Sequence, residues 1–346
     1  MKYYLAIGLI LSAVLVGCTP SSNSENSTVE DPELSVETED GVQMIPIETP
    51  VGEFKVWTKR MGESPTMKVL LLHGGPGMSH LQYGNFKDYF PEEGIEFIWY
   101  DQLGSALSDQ PDDSSLWTIE RFVDEVEQVR QALGLNKQNF YLLGQSWGGM
   151  LGMEYALKHQ ENLKGLIICN MMSSLDEYEN YAKEVLGPQM PEEVFAELME
   201  IEKNGDFENP RYMELLSEHH YPYHFLRMNP SEWPEEINKM MELVNPNVYV
   251  YMQGYSEFGI TPGASLKGWD VRDQLKNITV PTLVVGATHD TMDPAYMEWM
   301  SNEVQNGQFL LCPNGSHLSQ YDDPEHFFPG VIKFIKDVDK GEFSGN

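Results

Sequence analysis

The pentapeptide Gly144-Gln145-Ser146-Trp147-Gly148 constrains this chain more than any other stretch. It follows an apolar run at 140–143 and opens a helical pattern marked by Met150, Leu151 and Tyr155. A G-x-S-x-G sequence between a buried strand and a helix makes a turn too tight for bulky flanking side chains, and that turn lifts the serine hydroxyl clear of the sheet edge. The rest of the chain must then supply a sheet and the helices that lead away from it. Apolar runs recur at 69–72, 95–100, 140–143, 166–169, 282–285 and 309–312. Continuous runs of this kind suit strands covered on both faces, as in a parallel sheet. Residues 42–48 and 53–59 read as an antiparallel pair joined through Pro50-Val51-Gly52. The clearest helix, 119–133, sets Phe122, Val126, Val129 and Leu133 on one face and stops at Gly134, and Ile332, Ile335 and Val338 mark a closing helix. The alternation predicts an open, mostly parallel α/β sheet flanked by helices.

Two regions depart from that pattern. Between 171 and 262 there are helical patterns, aromatics and methionines but no strand runs, which predicts a helical cap inserted over a core made of 42–170 and 263–346. The cap carries 18 acidic and five basic residues. Its methionines (Met190, Met199, Met213, Met228, Met240, Met241, Met252) suit either an adaptable apolar pocket or plain helix–helix packing. At the other departure, Lys2 precedes an apolar run of 14 residues at 3–16, shorter than the roughly 20 residues a spanning helix needs. The run ends in Leu15-Val16-Gly17-Cys18, which resembles a bacterial lipoprotein cleavage box. Residues 1–17 are thus expected to be a signal peptide, and Cys18 the lipidated residue. Residues 18–41 hold seven acidic residues and no Lys or Arg, and read as a flexible tether. The expected product is an exported, membrane-anchored lipoprotein of the cell envelope, touching the membrane only through Cys18.

Charge and cysteine usage exclude other classes. A formal charge of −32 over 346 residues repels phosphate backbones, so nucleic acid is not an expected partner. Three cysteines, at 18, 169 and 312, form neither a disulfide framework nor a zinc-type spacing.

The chemistry falls on loops that follow the apolar runs. His73-Gly74-Gly75-Pro76-Gly77 comes after 69–72. An acyl-transfer site built on such an elbow takes one oxyanion donor from the residue after the nucleophile and another from this loop, which points to the backbone N–H groups of Trp147 and Gly75. Pro76 has no N–H to give. Asp290 follows 282–285 and His317 follows 309–312, so Ser146, Asp290 and His317 satisfy the order Ser…Asp…His. In that arrangement the acid holds the imidazole tautomer and the imidazole takes the serine proton. Asp293 is a rival acid, but preceding Pro294 it suits a helix N-cap. His73 is a rival base, although a loop-bracing role fits it better. His219, His220 and His224, all in the cap, read as packed or partly exposed histidines, against a substrate or metal role.

With these motifs placed, 42–336 resembles the proline iminopeptidases, a group of α/β hydrolases that includes the tricorn-interacting aminopeptidase and amino-acid amide hydrolases. The resemblance rests on His73-Gly-Gly-Pro-Gly77, Tyr100-Asp101-Gln102, the stretch from Leu116 to Val123, Gly144-Gln-Ser-Trp-Gly-Gly149, and Ser256-Glu257-Phe258 with Trp269-Asp270. It implies an α/β-hydrolase fold and removal of an N-terminal residue, often proline, from short peptides or amides, with no metal or cofactor. It also implies that Glu257 binds the substrate's free amine, a task for which a carboxylate is apt because an ammonium drawn into a pocket needs a counter-charge. The family commonly carries Arg and Gly where this chain has Leu103 and Ala106, and one branch has a second amine-binding Glu where this chain has Thr291. With that second carboxylate missing, an esterase or amidase without a free-amine requirement is the alternative.

Overall fold

Side-chain alternation along the inner strands divides the core into two layers. The computed structural model describes residues 40–345. The expected signal segment, Cys18 and the tether as far as residue 39 lie outside the described residues. Eight strands form one sheet in the order β1-β2-β4-β3-β5-β6-β7-β8. They are β1 (Val42–Thr49), β2 (Gly52–Met61), β3 (Lys68–Leu72), β4 (Glu96–Asp101), β5 (Phe140–Gln145), β6 (Gly165–Cys169), β7 (Thr282–Ala287) and β8 (Gly307–Cys312). The β1–β2 and β2–β4 pairs are antiparallel, and every other pair is parallel. Leu70, Leu72, Leu142, Ile168 and Val284 face one layer, whereas Val69, Leu71, Leu143, Ile167 and Val285 face the other. Successive Cβ atoms point to opposite faces, so an unbroken apolar run feeds both layers.

The first layer is covered by α1 (Ile119–Ala132), α2 (Trp147–His159) and the cap; the second is covered by a run of 3₁₀ turns at His80–Asp88 and by the closing helix. Thr118 caps α1 by accepting from Arg121 N at 3.3 Å, and Gly134 leaves the helix at φ +67°. One expectation needs correcting. The run at 309–312 is not covered on both faces: β8 is the last strand of the sheet, its middle is half-buried, and Leu311 is 42% exposed.

Between β6 and β7 the chain forms α3 (Leu175–Tyr181), α4 (Glu192–Asn204), α5 (Pro210–His219), α6 (Glu235–Glu242) and α7 (Pro246–Met252), joined by short 3₁₀ and π turns. After β7 come α8 (Pro294–Glu303), α9 (Ser319–Asp322) and α10 (Pro324–Lys340). Of the cap methionines named above, Met190, Met240 and Met252 are buried in helix packing, and Met213 and Met241 line a cavity beneath the cap. Among the described residues, no helix is long and apolar enough to cross a membrane.

Candidate active site

Because β3 to β8 run parallel, their C-terminal ends gather at one edge, and the loops that follow them meet there. Ser146 directly follows β5 at φ 56°, ψ −127°, a conformation rare for a residue with a Cβ. The flanking glycines make it possible. A Cβ on Gly144 would lie 1.9 Å from the Gly148 carbonyl oxygen, and one on Gly148 would lie 1.9 Å from that of Leu72. Ser146 also stands at the N-terminus of α2, where free N–H groups and the helix dipole favour negative charge.

Asp290 and His317 are joined. His317 Nδ1 lies 2.8 Å from Asp290 Oδ1, and Asp290 is fully buried. Asn170, which follows β6 and sits at φ 51°, donates through Nδ2 to Asp290 Oδ2 at 2.7 Å and to the Ser316 carbonyl at 3.2 Å. The Thr291 hydroxyl donates to Asp290 Oδ1 at 3.2 Å and lies 3.1 Å from His317 Nδ1. Asp293 instead caps α8, accepting from Ala295 N at 2.9 Å.

The His73 loop is braced from below. His73 is fully buried, its Nδ1 is 2.9 Å from the Gly74 carbonyl, and its Nε2 accepts from Gln102 N at 3.1 Å. Burial pulls its pKa down, which keeps the ring neutral in this bracing role. Gln102 in turn accepts from Trp147 Nε1 at 2.8 Å, linking this loop to the elbow. A second clasp is made of glutamines. Gln82 accepts from Gly74 N at 2.7 Å and donates to Gln145 at 2.6 Å, while Gln145 donates to the His317 carbonyl and accepts from Gln320 at 2.9 Å. Three loops distant in sequence are thereby tied together. Gly75 holds φ +109°, a backbone region open to glycine, and a Cβ there would meet Met78 N at 2.8 Å.

Ser146, Gly75, Trp147 and His317 all face a cavity of about 460 Å³ roofed by the cap. Glu257 lines the same cavity, partly buried. Its Oε1 accepts from Tyr221 Oη at 3.2 Å, its carbonyl accepts from Tyr178 Oη at 2.9 Å, and its N–H donates to Tyr212 Oη at 3.2 Å. Burial pushes its pKa up to about 7; the negative charge of Glu202 adds to the push, while the Tyr221 hydrogen bond and His317 oppose it. The cap histidines divide. His220 lines the cavity with its pKa pulled down by burial to about 3, His224 Nδ1 lies 3.0 Å from the His289 carbonyl, and His219 is half-buried beside Glu218. Among the described residues, no group of three or more His, Cys, Asp or Glu side chains is placed to hold a metal ion.

A family model described as the alpha/beta hydrolase fold matches residues 68–324. The proline iminopeptidase of Flavobacterium johnsoniae is 57% identical over 295 residues, covering 85% of this chain and 98% of its own length. That of Elizabethkingia meningoseptica is also 57% identical, over 301 residues that cover 87% of this chain and all of its own. The chain belongs to the proline iminopeptidase family. A crystal structure of the proline iminopeptidase of Mycobacterium smegmatis superposes with a TM-score of 0.76 at 31% identity, covering 86% of this chain and 99% of that one.

Within that family, the departures at 103 and 106 have physical consequences here. Leu103 is fully buried in the core beneath the cap, and its N–H donates to Glu125 at 2.9 Å. Glu125 is also bonded to Arg121 and Tyr100. Ala106 adopts φ 33°, a conformation that glycine tolerates better. Sequence reasoning did not single out Asn170, Gln82 or Gln320. For Asn170 a signal existed, since it is the first residue past an apolar run, the same position that Ser146 holds after β5.

Proposed function

We propose that this chain is a serine aminopeptidase that releases an N-terminal residue, proline foremost, from short peptides and amino-acid amides. One observation carries the reading: Ser146, the Glu257 carboxylate and His317, which is joined to the buried Asp290, line one roofed cavity. The substrate ammonium sits against Glu257, which brings the first carbonyl over Ser146. The Ser146 oxygen attacks that carbonyl carbon while His317 takes the hydroxyl proton, and Asp290 holds the imidazole tautomer and balances its charge. The Gly75 and Trp147 N–H groups receive the developing oxyanion. His317 then gives the proton to the departing amine, leaving an acyl-enzyme. Water gives a proton to His317 and attacks the acyl carbon; the bond to the Ser146 oxygen then breaks, that oxygen takes the proton back from His317, and the amino acid is freed. The relatives named above, proline iminopeptidases at 57% identity, support proline as the preferred residue.

The test compares prolyl and alanyl anilides, free and N-blocked. Turnover of the free forms and its loss on blocking the amine support the reading; equal turnover of both would favour an esterase or amidase indifferent to the amine. The net negative cap suits a cationic N-terminus and disfavours acidic substrates. We also propose that Cys18 carries a lipid that anchors the mature protein in the cell envelope. The short apolar run ending at Gly17-Cys18 and the acidic stretch after it support this. Metabolic labelling with a tagged fatty acid should mark the wild-type protein and not the Cys18→Ser variant.

A further inference from the structure

Two carboxylates line the cavity, the exposed Glu208 and the partly buried Glu257, and the Thr291 hydroxyl is engaged with Asp290 and His317. A further carboxylate lies behind Glu257. Glu202, near the C-terminal end of α4, accepts from Tyr212 Oη at 2.6 Å and from Ser256 Oγ at 2.9 and 2.8 Å. Both hydroxyls also accept from the backbone around Glu257: Tyr212 Oη from Glu257 N at 3.2 Å, and Ser256 Oγ from Phe258 N at 3.0 Å. The Glu202 carboxylate therefore fixes the chain on either side of the amine-binding residue.

Its charge is the unexplained part. Glu202 is largely withdrawn from solvent; the cation that faces it, Lys183, is itself paired with Glu179 at 3.5 Å and offsets its charge only in part. A neutral acceptor would serve two hydroxyl donors as well, and a partly compensated carboxylate taken out of water is destabilising. A cationic ligand arriving next door would add to the counter-charge.

Resting on the aminopeptidase reading above, we propose that Glu202 is a positioning residue for amine recognition, aiming Glu257 through Tyr212 and Ser256 and placing a second negative charge behind it. Tyr178, Tyr221, Tyr249 and His317 are the other titratable groups facing Glu257. Glu179 and Lys183 face Glu202 from α3 and the turn after it. Tyrosines stay neutral across the working range, so among these groups Glu202 is the negative charge that adds to burial in raising the Glu257 pKa.

The experiment measures steady-state kinetics on prolyl anilide and on an amine-free ester, p-nitrophenyl acetate, from pH 5 to 9. Glu202→Gln keeps volume and acceptor atoms but removes the charge. For the anilide at pH 8, where Glu257 is ionised in either protein, KM should rise about tenfold with kcat nearly unchanged, the size expected for a lost charge-assisted interaction. Ester kinetics should not change, and the acid limb of kcat/KM for the anilide should move to lower pH. Tyr212→Phe keeps the charge but cuts the link, so KM should rise while the limb stays in place. An unchanged anilide KM with an unmoved limb in Glu202→Gln overturns the proposal, as does an equal loss on both substrates. Glu257→Gln, run alongside, separates the two failures. If it also leaves the anilide KM unchanged, the aminopeptidase reading fails; if it alone raises KM, only the role of Glu202 does.

Discussion

The sheet edge and the cap pocket solve different problems with different materials. At the edge, each proposed catalytic group sits within a few residues of a strand end, and much of the precision comes from backbone: a strained elbow, missing Cβ atoms, and amides that glutamines tie down. In the pocket, Glu257 is held by hydroxyls from Tyr178, Tyr221 and Tyr212 on three separate cap segments. Bond-making needs sub-ångström constancy, which a sheet supplies. Recognition of an ammonium needs charge and exclusion of water, and packed helices can provide these without fixing every atom. Losses at the edge should therefore appear in kcat and losses in the pocket in KM.

Ser146→Ala breaks the edge outright and should lower kcat by about 10⁴- to 10⁶-fold with KM little changed, measured on prolyl anilide. Glu257→Gln should do the reverse, raising KM for free-amine substrates about 100-fold as the ammonium loses its counter-charge, with kcat held within a few-fold. Asn170→Ala, which removes a donor from Asp290, belongs to the edge and should reduce kcat about tenfold without altering KM. Met213→Leu alters the pocket wall with little change in volume and should shift stability by less than about 1.5 kcal/mol, read as a small change in Tm and in KM alone.

The same contrast has a pH signature. Because Glu257 titrates near 7, kcat/KM on a free-amine anilide should fall as pH drops through that value and the carboxylate takes up a proton. The sign for stability is opposite. The native state binds this proton more tightly than the unfolded chain, so stability declines as pH rises from the ordinary carboxyl range toward 7. Glu257→Gln should therefore melt above wild type at pH 8, and the gap should close near pH 4. A variant that melts lower at pH 8 would show that packing rather than charge dominates at this site.

Most of the sheet and edge is legible in the sequence because both depend on local order. Apolar runs announce strands, and the residues after them announce loops, so the runs at 282–285 and 309–312 are enough to locate Asp290 and His317. Leu311 shows the limit, since a run of apolar letters cannot reveal that its strand lies at an edge. Gln82, Gln145 and Gln320 carry no local sign of meeting, because their contacts span 63 and 175 residues. Glu202 is just as silent: on α4 it looks like one acid among many, and only the fold brings it to Ser256.

One contact between the two regions has a mechanical consequence. Asn245, at the start of α7, donates its backbone N–H to the Gly77 carbonyl at 2.9 Å and its side-chain amide to the Gly104 carbonyl at 2.8 Å. The roof is thus latched to the loop that carries Gly75. The cap and the proposed oxyanion donors are mechanically joined, and a displacement of that helix would be felt at the Gly75 loop.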